Sequence, residues 1–226
     1  MRAALFLSVA CLAALSAFAA DEPKAPSTAP ADAALEYTRD LEKRADGVLQ
    51  ALDLNDPARA ARVREAVINQ YRNLRRLHDA RDANIRALKD RPDPARSELD
   101  KQVEAERART DQAAAMLNAR FLAALFSDLT PGQVETVKDT MTYNKLRVTY
   151  TAYLEMLPDL TPVQKKAIFD TLKQARDKAV YAGSAEEKSA VFDKFKGRVN
   201  NFLASEGYDL KLASKQWAER RKKQGK

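Results

Sequence analysis

Apolar residues recur along the first half of the chain at steps of three and four, which is the period of an α-helix. The pattern predicts helices over residues 33–52, 57–90 and 97–126. Their apolar positions are Leu35, Leu41, Val48 and Leu49 in the first, Val63, Val67, Tyr71, Leu74, Leu77, Ile85 and Leu88 in the second, and Leu99, Val103, Met116, Leu117, Phe121, Leu122 and Leu125 in the third. Two prolines within residues 91–94 interrupt the pattern, because a helix cannot continue through them. We therefore expect the second and third helices to form an antiparallel hairpin.

Helix starts are marked by a repeated motif. Asp-Leu-Thr-Pro-Gly-Gln at 128–133 recurs as Asp-Leu-Thr-Pro-Val-Gln at 159–164. The threonine hydroxyl caps free N–H groups, the proline fits the first helical position, and the glutamine closes a capping box. A looser copy lies at 52–57, and Ser-Ala-Glu-Glu at 184–187 predicts a further capping box.

The second half predicts a smaller set of helices. Residues 134–141, 162–181 and 185–205 read as helices, and a last helix runs from Leu210 into the basic residues 220–223. Over residues 142–151 the β-branched residues weaken helix propensity. One helical stripe nevertheless joins Tyr143, Leu146, Tyr150, Tyr153 and Leu157. The inward positions of 185–205 are Val191, Phe192, Phe195, Val199, Phe202 and Leu203. No segment reads as a strand, so we predict an all-α fold with a long hairpin and a smaller packed helical bundle.

The beginning of the chain predicts export. Residues 1–19 combine Arg2, a short apolar run and Ala17-Phe18-Ala19, which fits a signal-peptidase site. Cys11 would leave with this segment, so the mature protein would contain no thiol. A lipoprotein anchored at Cys11 is the alternative. Residues 20–32 predict a flexible tether, 33–219 a single helical domain and 220–226 a basic tail.

The charge balance narrows the expected partners. The 226 residues include 39 Lys and Arg against 32 Asp and Glu, which gives a net charge of +7. After the leader, no hydrophobic run approaches the roughly 20 residues of a membrane span, so we expect no transmembrane segment in the mature chain. A basic exported protein suits an acidic polysaccharide or an acidic envelope protein, whereas nucleic acid is not expected outside the cytoplasm. A net charge of this size is also typical of a protein whose charge only keeps it soluble and binds no partner.

Several motifs in a fixed order carry a family resemblance. They are Leu-Thr-Pro-Gly-Gln-Val-Glu-Thr-Val-Lys-Asp (129–139), Met-Thr-Tyr (141–143), the run 148–161, Ala-Gly-Ser-Ala-Glu-Glu-Lys (182–188), Lys-Phe-Lys-Gly-Arg-Val-Asn-Asn-Phe-Leu (194–203) and Gly-Tyr-Asp (207–209), with His-Asp-Ala-Arg-Asp (78–82) upstream. This set resembles the secreted bacterial family numbered 3826 among the domains of unknown function. The resemblance implies an exported helical domain, a context of polysaccharide digestion and no established activity. Ser189 and Val191 depart from a histidine and a tryptophan that are common in the family. The Leu-Thr-x-x-Gln element is also similar to that of periplasmic helical chaperones.

Two groups of residues are candidates for ligand binding. Tyr143, Tyr150 and Tyr153 are candidates to stack on sugar rings, with Lys145 and Arg147 beside them to bind a carboxylate. Lys194, Arg198 and Asn201 form a polar stripe on the helix 185–205, opposite its apolar face, and with Lys196 they are candidates to hold an anion or an acidic sugar. A tyrosine stripe is also typical of a hydrophobic core, and a polar stripe is also typical of a solvated helix surface.

Signatures of catalysis are scarce. His78 shares a helix face with Asp82, and Asp79 adjoins them, but Arg75, Arg76 and Arg81 crowd the same turns and would repel a cation. We therefore expect no metal there, and a solvent-facing surface with an Asp82–Arg86 pair instead. The chain has no Gly-x-Ser-x-Gly motif, phosphate loop or dinucleotide motif, so we expect no cofactor and name no catalytic residue.

These patterns favour an exported, non-catalytic accessory protein that binds an acidic glycan. Two alternatives stay open at this point. One is a chaperone-like or structural envelope protein, which would carry an exposed apolar concave face on the hairpin. The other is a lyase-like enzyme that acts on uronate polymers through Tyr143, Lys145 and Arg147.

Overall fold

Eight helices make up the part of the protein that the computed structural model describes, residues 30–91 and 96–223, with side chains from residue 35. No strand occurs there, which confirms the all-α prediction. The helices are α1 Pro30–Leu52, α2 Pro57–Lys89, α3 Arg96–Phe126, α4 Pro131–Met141, α5 Lys145–Met156, α6 Pro162–Ala179, α7 Ala185–Ser205 and α8 Leu210–Lys223. The predicted leader, the alternative at Cys11 and most of the predicted tether lie outside the described residues, while the tether's last residues, from Pro30, belong to α1.

The predicted caps start the helices. Asp56 accepts hydrogen bonds from the N–H groups of Ala58 and Arg59, which opens α2. Thr130 and Thr161 each close a capping box with the glutamine three residues later. At α6 the Thr161 N–H donates to Gln164 Oε1 over 3.0 Å, and the Gln164 N–H donates to Thr161 Oγ1 over 3.3 Å. Both copies of the sequence motif therefore begin a helix.

The first hydrophobic core lies among α1, α2, α3 and α4, with α2 and α3 packed side by side as the hairpin predicts. The turn predicted at residues 91–94 falls largely outside the described residues. The core consists of Leu41, Ala45, Val48, Leu52, Val63, Val67, Ile68, Phe121, Leu125, Leu129, Val134, Val137, Met141 and Val180. Leu35 and Met116, predicted to point inward, are each 56% exposed. Met116 lies half a turn around α3 from the buried Ala114, and Leu35 precedes the first core contacts of α1.

The second core lies among α5, α6, α7 and α8. It consists of Leu146, Tyr153, Leu157, Leu160, Ile168, Leu172, Ala175, Ala179, Phe192, Phe195, Val199, Leu203 and Ala213. Helices α6 and α7 pack along each other, and α5 lies against α6. The two cores meet where α4 contacts α6 and where Val180, at the end of α6, reaches the first core.

Two local predictions are wrong. Tyr143 does not share a helix with Leu146, because Tyr143 and Asn144 adopt left-handed backbone angles, φ 57° and 54°, between α4 and α5. Ser184 caps α7 by accepting the Glu187 N–H, but the capping box does not close. The Glu187 carboxylate accepts from the Gly183 N–H instead. Each position also contacts another helix, since Lys188 of α7 faces the Tyr143 ring and Arg81 of α2 donates to Glu187.

No helix within the described ranges combines the length and the apolar character that a membrane crossing requires. The basic residues predicted as part of a tail continue α8 as far as Lys223. Arg220 donates to the main-chain oxygens of Glu155 and Met156 at the end of α5. This contact anchors the last helix to the second core.

Candidate functional site

A cleft of about 810 Å³ opens between the helical hairpin and the α6–α7 pair. The last three turns of α2 and the facing part of α3 form one wall, and the end of α6, the following connection and α7 form the other. The hairpin is long because nothing interrupts α2 for 33 residues, so α2 extends past the first core and leaves a groove beside α7. Concave sites of this size are where proteins bind small ligands and segments of polymers.

Cationic side chains dominate the lining of the cleft. The cations are Arg81, Arg86, Lys89, Arg107, Lys178, Lys194 and Arg198, and the acids are Asp82, Glu104, Asp111 and Glu187. Four of the cations, Arg86, Lys89, Arg107 and Lys194, have no ion-pair, hydrogen-bond or aromatic partner for their charged groups among the described residues, whereas Arg198 lies over the Phe195 ring. All four are exposed. Glu104 is the one acid of this lining that is likewise unpaired in the described part of the chain, so the cleft offers an excess of positive charge to a ligand.

Apolar side chains line the cleft between these charges. Ile85 and Val191 are half-buried, and Phe195 is buried beneath the Arg198 guanidinium, whose carbon lies 4.4 Å from the ring centroid. Tyr181 completes this surface, and burial raises the pKa of its hydroxyl, with Asp111 and Asp177 adding to the shift. The hydroxyl is therefore a neutral donor at physiological pH. A ligand with apolar patches between anionic groups fits such a lining.

His78 closes the inner end of the cleft and is buried. Its Nε2 lies 3.1 Å from the Tyr181 main-chain oxygen, and its Nδ1 lies 2.9 Å from Arg81 Nη1. A carbonyl oxygen only accepts and a guanidinium only donates, so these partners select the neutral tautomer with the proton on Nε2. Both ring nitrogens are thus occupied. His78 holds the connection after α6 against α2, and it is not free to act as a base.

Glu187 and Gly183 complete this inner end. Glu187 Oε1 accepts from Arg81 over 2.6 Å, and Oε2 accepts from the Gly183 N–H over 2.7 Å. Burial raises the pKa of Glu187, but these hydrogen bonds outweigh it and the pKa is lowered overall. A Cβ at Gly183 would lie 2.5 Å from His78 Cγ, so only glycine allows this approach. The cluster locks the two walls of the cleft together.

The neighbourhood predicted for His78 differs in the structure. His78 was expected on a solvent-facing surface, but it is buried against Tyr181 because α6 and α7 cover this face of α2. Asp82 pairs with Arg81 over 2.8 Å rather than with Arg86. Asp79 turns back to Arg75 over 3.4 Å. Among the described residues no group of three histidine, cysteine or acidic side chains is placed to hold a metal ion.

The structure separates the predicted binding residues. Lys194 and Arg198 line the cleft. Lys196 pairs with Asp193 on its own helix over 2.7 Å, and the exposed Asn201 is not part of the cleft lining. The tyrosine group lies at and after the α4–α5 connection, away from the cleft lining. In that group Tyr143 is 49% exposed, and Tyr150 packs edge-on against Phe169 with ring centroids 5.3 Å apart. Tyr153 is buried in the second core and cannot stack on a ligand. Lys145 is half-buried and Arg147 is exposed near the start of α5.

Two buried cations were not predicted. Lys188 on α7 donates to the Met141 main-chain oxygen over 2.8 Å and faces the rings of Tyr71 and Tyr143. Arg176 on α6 contacts Glu135 and Asp139 of α4 and Asp177 of its own helix. Arg176 and Lys188 lie at helical spacing from apolar neighbours, which hints at burial. Apart from Asp177, which adjoins Arg176, the ion-pair and hydrogen-bond partners of these two cations are 35 or more residues away, so no local signal identifies them.

A family model described as "Protein of unknown function (DUF3826)" matches residues 38–223. The match spans the described helices from within α1 to the end of α8. It confirms the resemblance carried by the motifs between His78 and Asp209. No curated protein matches the chain.

Proposed function

Since the chain belongs to this family of unknown function, we propose from its geometry that it is an exported, non-catalytic accessory protein that binds an acidic glycan in the cleft beside the hairpin. One observation carries the proposal. Arg86, Lys89, Arg107 and Lys194 line one cleft without a partner for their charges among the described residues. Exposed cations left uncompensated on a concave surface attract an anionic ligand.

The apolar part of the lining favours a glycan over a simple anion. Ile85, Val191 and Phe195 lie between the charges, and the C–H faces of a sugar ring pack against such side chains. Carboxylates of uronic acids would meet the arginine and lysine side chains. The inner end supplies a rigid boundary, because His78, Arg81 and Glu187 are tied to one another.

The non-catalytic part of the proposal rests on the same cluster. His78, the chain's single histidine, has both ring nitrogens engaged. Arg81 donates to Asp82, His78 and Glu187, so its guanidinium is committed as well. The groups that would serve as base or charge neutraliser at this end of the cleft therefore hold the fold.

Titration calorimetry with an oligogalacturonide tests the proposal, with a neutral oligosaccharide of equal length as the reference ligand. We expect binding of the acidic ligand alone. The double variant Arg86→Glu/Lys194→Glu should weaken it about tenfold or more, because two attractions become repulsions. Lys211→Glu/Lys215→Glu on the exposed side of α8 makes the same change in net charge away from the cleft and should leave the affinity within about twofold. Equal losses in both variants, or equal binding of the neutral ligand, would reject the proposal.

The alternatives have their own readouts. A chaperone-like protein would suppress aggregation of an unfolded client, and a lyase-like enzyme would produce ultraviolet absorbance from an unsaturated uronate. Within the described ranges the exposed large hydrophobic residues are Leu35, Met116, Phe126, Tyr143, Val148, Val163, Phe169 and Leu212. They are spread over several helices and the α4–α5 connection, and Met116 and Phe126 of the hairpin are ten residues apart, about 15 Å along α3. This distribution does not favour a client-binding face.

A further inference from the structure

We infer that the ligand of the cleft is a chain carrying several separated anionic groups, and that a single compact dianion such as sulfate or phosphate is not its natural occupant. The inference rests on the proposed function and specifies the class of ligand. It is carried by the distribution of the unpaired cations. Arg86 and Lys89 belong to α2, Arg107 to α3 and Lys194 to α7, so the free charges come from three helices on both walls.

The inner end of the cleft offers no place for a compact anion. Arg81 is the guanidinium best fixed for a two-point contact, but its nitrogens already donate to Asp82, His78 and Glu187. The Gly183 N–H, a main-chain donor beside it, is bound by Glu187 Oε2. The chain's own carboxylate therefore fills the position in which a small anion would be held by several donors at once.

The remaining cations suit contacts spread along a polymer. Arg86 and Lys89 are three residues apart, which separates them by about 4.5 Å along the axis of α2. Arg107 and Lys194 extend from the other helices of the cleft. Each is a long, exposed side chain, and an exposed ion pair of this kind is weak by itself. One small anion meets one or two of them, whereas a chain with repeated charges meets all four and gains from their sum.

The apolar side chains that lie between the cations also favour a polymer over a simple ion. The apolar surfaces of Ile85 and Val191 would be left in contact with water by a simple ion. A repeating unit with one anionic group and one apolar face covers them and places its charge at the rim. A linear polyuronate has this pattern.

Calorimetry on the purified chain with galacturonate, its dimer, tetramer and hexamer, and with inorganic sulfate, tests the inference. We expect affinity to rise about tenfold or more from monomer to tetramer and then to level off, once the four cations are engaged. The logarithm of the affinity for the tetramer should fall with the logarithm of salt concentration. Each of Arg86→Gln, Lys89→Gln, Arg107→Gln and Lys194→Gln should reduce that slope by up to about one, as for other polyanions bound by lysine and arginine. Lys211→Gln should leave it unchanged.

A failure of this inference and a failure of the proposed function give different results. The inference of a ligand with several anionic groups is wrong if the monomer or sulfate binds as tightly as the tetramer, or if the four variants leave the salt slope unchanged. The proposal that the protein binds an acidic ligand would still stand. If no uronate of any length binds at low salt, the proposed function fails and the inference with it. Circular dichroism of each variant, which should match the helical spectrum of the parent chain, shows that a loss of slope is not a loss of fold.

Discussion

Arg176 and Lys188 are both buried and both tie the second half of the chain to α4, yet their surroundings are opposite. Arg176 is 3% exposed and meets three carboxylates, including Asp139 at 2.9 Å. Lys188 is 4% exposed and meets a main-chain oxygen and two tyrosine rings, with no carboxylate partner among the described residues. One charge is neutralised where it is buried, and the other is not.

The pKa values of Arg176 and Lys188 show the consequence of this difference in surroundings. Burial alone disfavours the charged form of both side chains. At Arg176 the carboxylates of Asp139 and Glu135 outweigh burial, and the pKa is raised. At Lys188 burial dominates, the nearby Arg44 adds to it, and the pKa falls to about 8. The same degree of burial therefore gives a permanent cation at one contact and a titratable amine at the other.

The largest expected effect is the loss of the neutralised cation. Arg176→Met should lower the free energy of unfolding by about 3 kcal/mol, because Asp139 loses its ion-pair partner and only Lys138 and Lys173 remain beside Glu135 and Asp177. The value lies at the low end for a buried ion pair, since these carboxylates remain partly exposed. Lys188→Met should cost about 1 kcal/mol or less, because it removes an uncompensated charge along with one hydrogen bond. Urea denaturation of both variants measures the difference, and equal losses would remove the contrast.

Alkaline pH should stabilise the protein through Lys188. Its pKa is about 8 when folded against 10.5 as the ordinary value, so the unfolded chain binds more protons between these limits. The free energy of unfolding should therefore rise with pH, by about 2 kcal/mol from pH 8 to pH 10. Above pH 10 the buried Tyr71, whose pKa burial raises to about 12, works in the opposite direction. Urea midpoints across this range should rise in the parent chain and stay flat in Lys188→Met; a parallel rise in both would assign the effect elsewhere.

Acid pH should weaken the other contact. Burial raises the pKa of Glu135, but hydrogen bonds from Lys138 and Arg176 outweigh it and hold the pKa at about 2, against an ordinary 4.5. The stabilisation is complete above pH 4.5 and is lost as pH falls toward 2, with about 1 kcal/mol expected after allowance for solvent screening. Thermal denaturation from pH 5 to pH 2.5 should show a shallower fall in Glu135→Gln than in the parent chain. An equal fall would mean that Lys138 and Arg176 do not stabilise the charged form of Glu135.

The sequence predicts the helices but not the contacts of Arg176 and His78, and one physical reason explains both outcomes. Capping at Thr130 and Thr161 is decided within four residues, so the boundaries of α4 and α6 follow from local chemistry. Arg176 finds Glu135 at a separation of 41 residues, and His78 finds Tyr181 at a separation of 103. Such pairs exist only after the helices pack. The cleft itself was not predicted, but two of its lining residues, Lys194 and Arg198, belong to the polar stripe that the sequence shows on α7.

The smallest expected effect separates local from tertiary contributions within one helix. Thr161→Ala removes the cap of α6 and should cost about 1 kcal/mol. Arg176 lies 15 residues further along the helix, more than 20 Å away at the ordinary helical rise. The double variant Thr161→Ala/Arg176→Met should therefore equal the sum of the single losses within about 0.5 kcal/mol, whereas Glu135→Gln and Arg176→Met, which alter one ion pair, should fall well short of additivity. A double-mutant cycle by urea denaturation measures both. If the coupling between Thr161 and Arg176 is as large as that between Glu135 and Arg176, the loss measured for Arg176→Met depends on the stability of α6. The contrast between Arg176 and Lys188 would then reflect helix stability instead of charge.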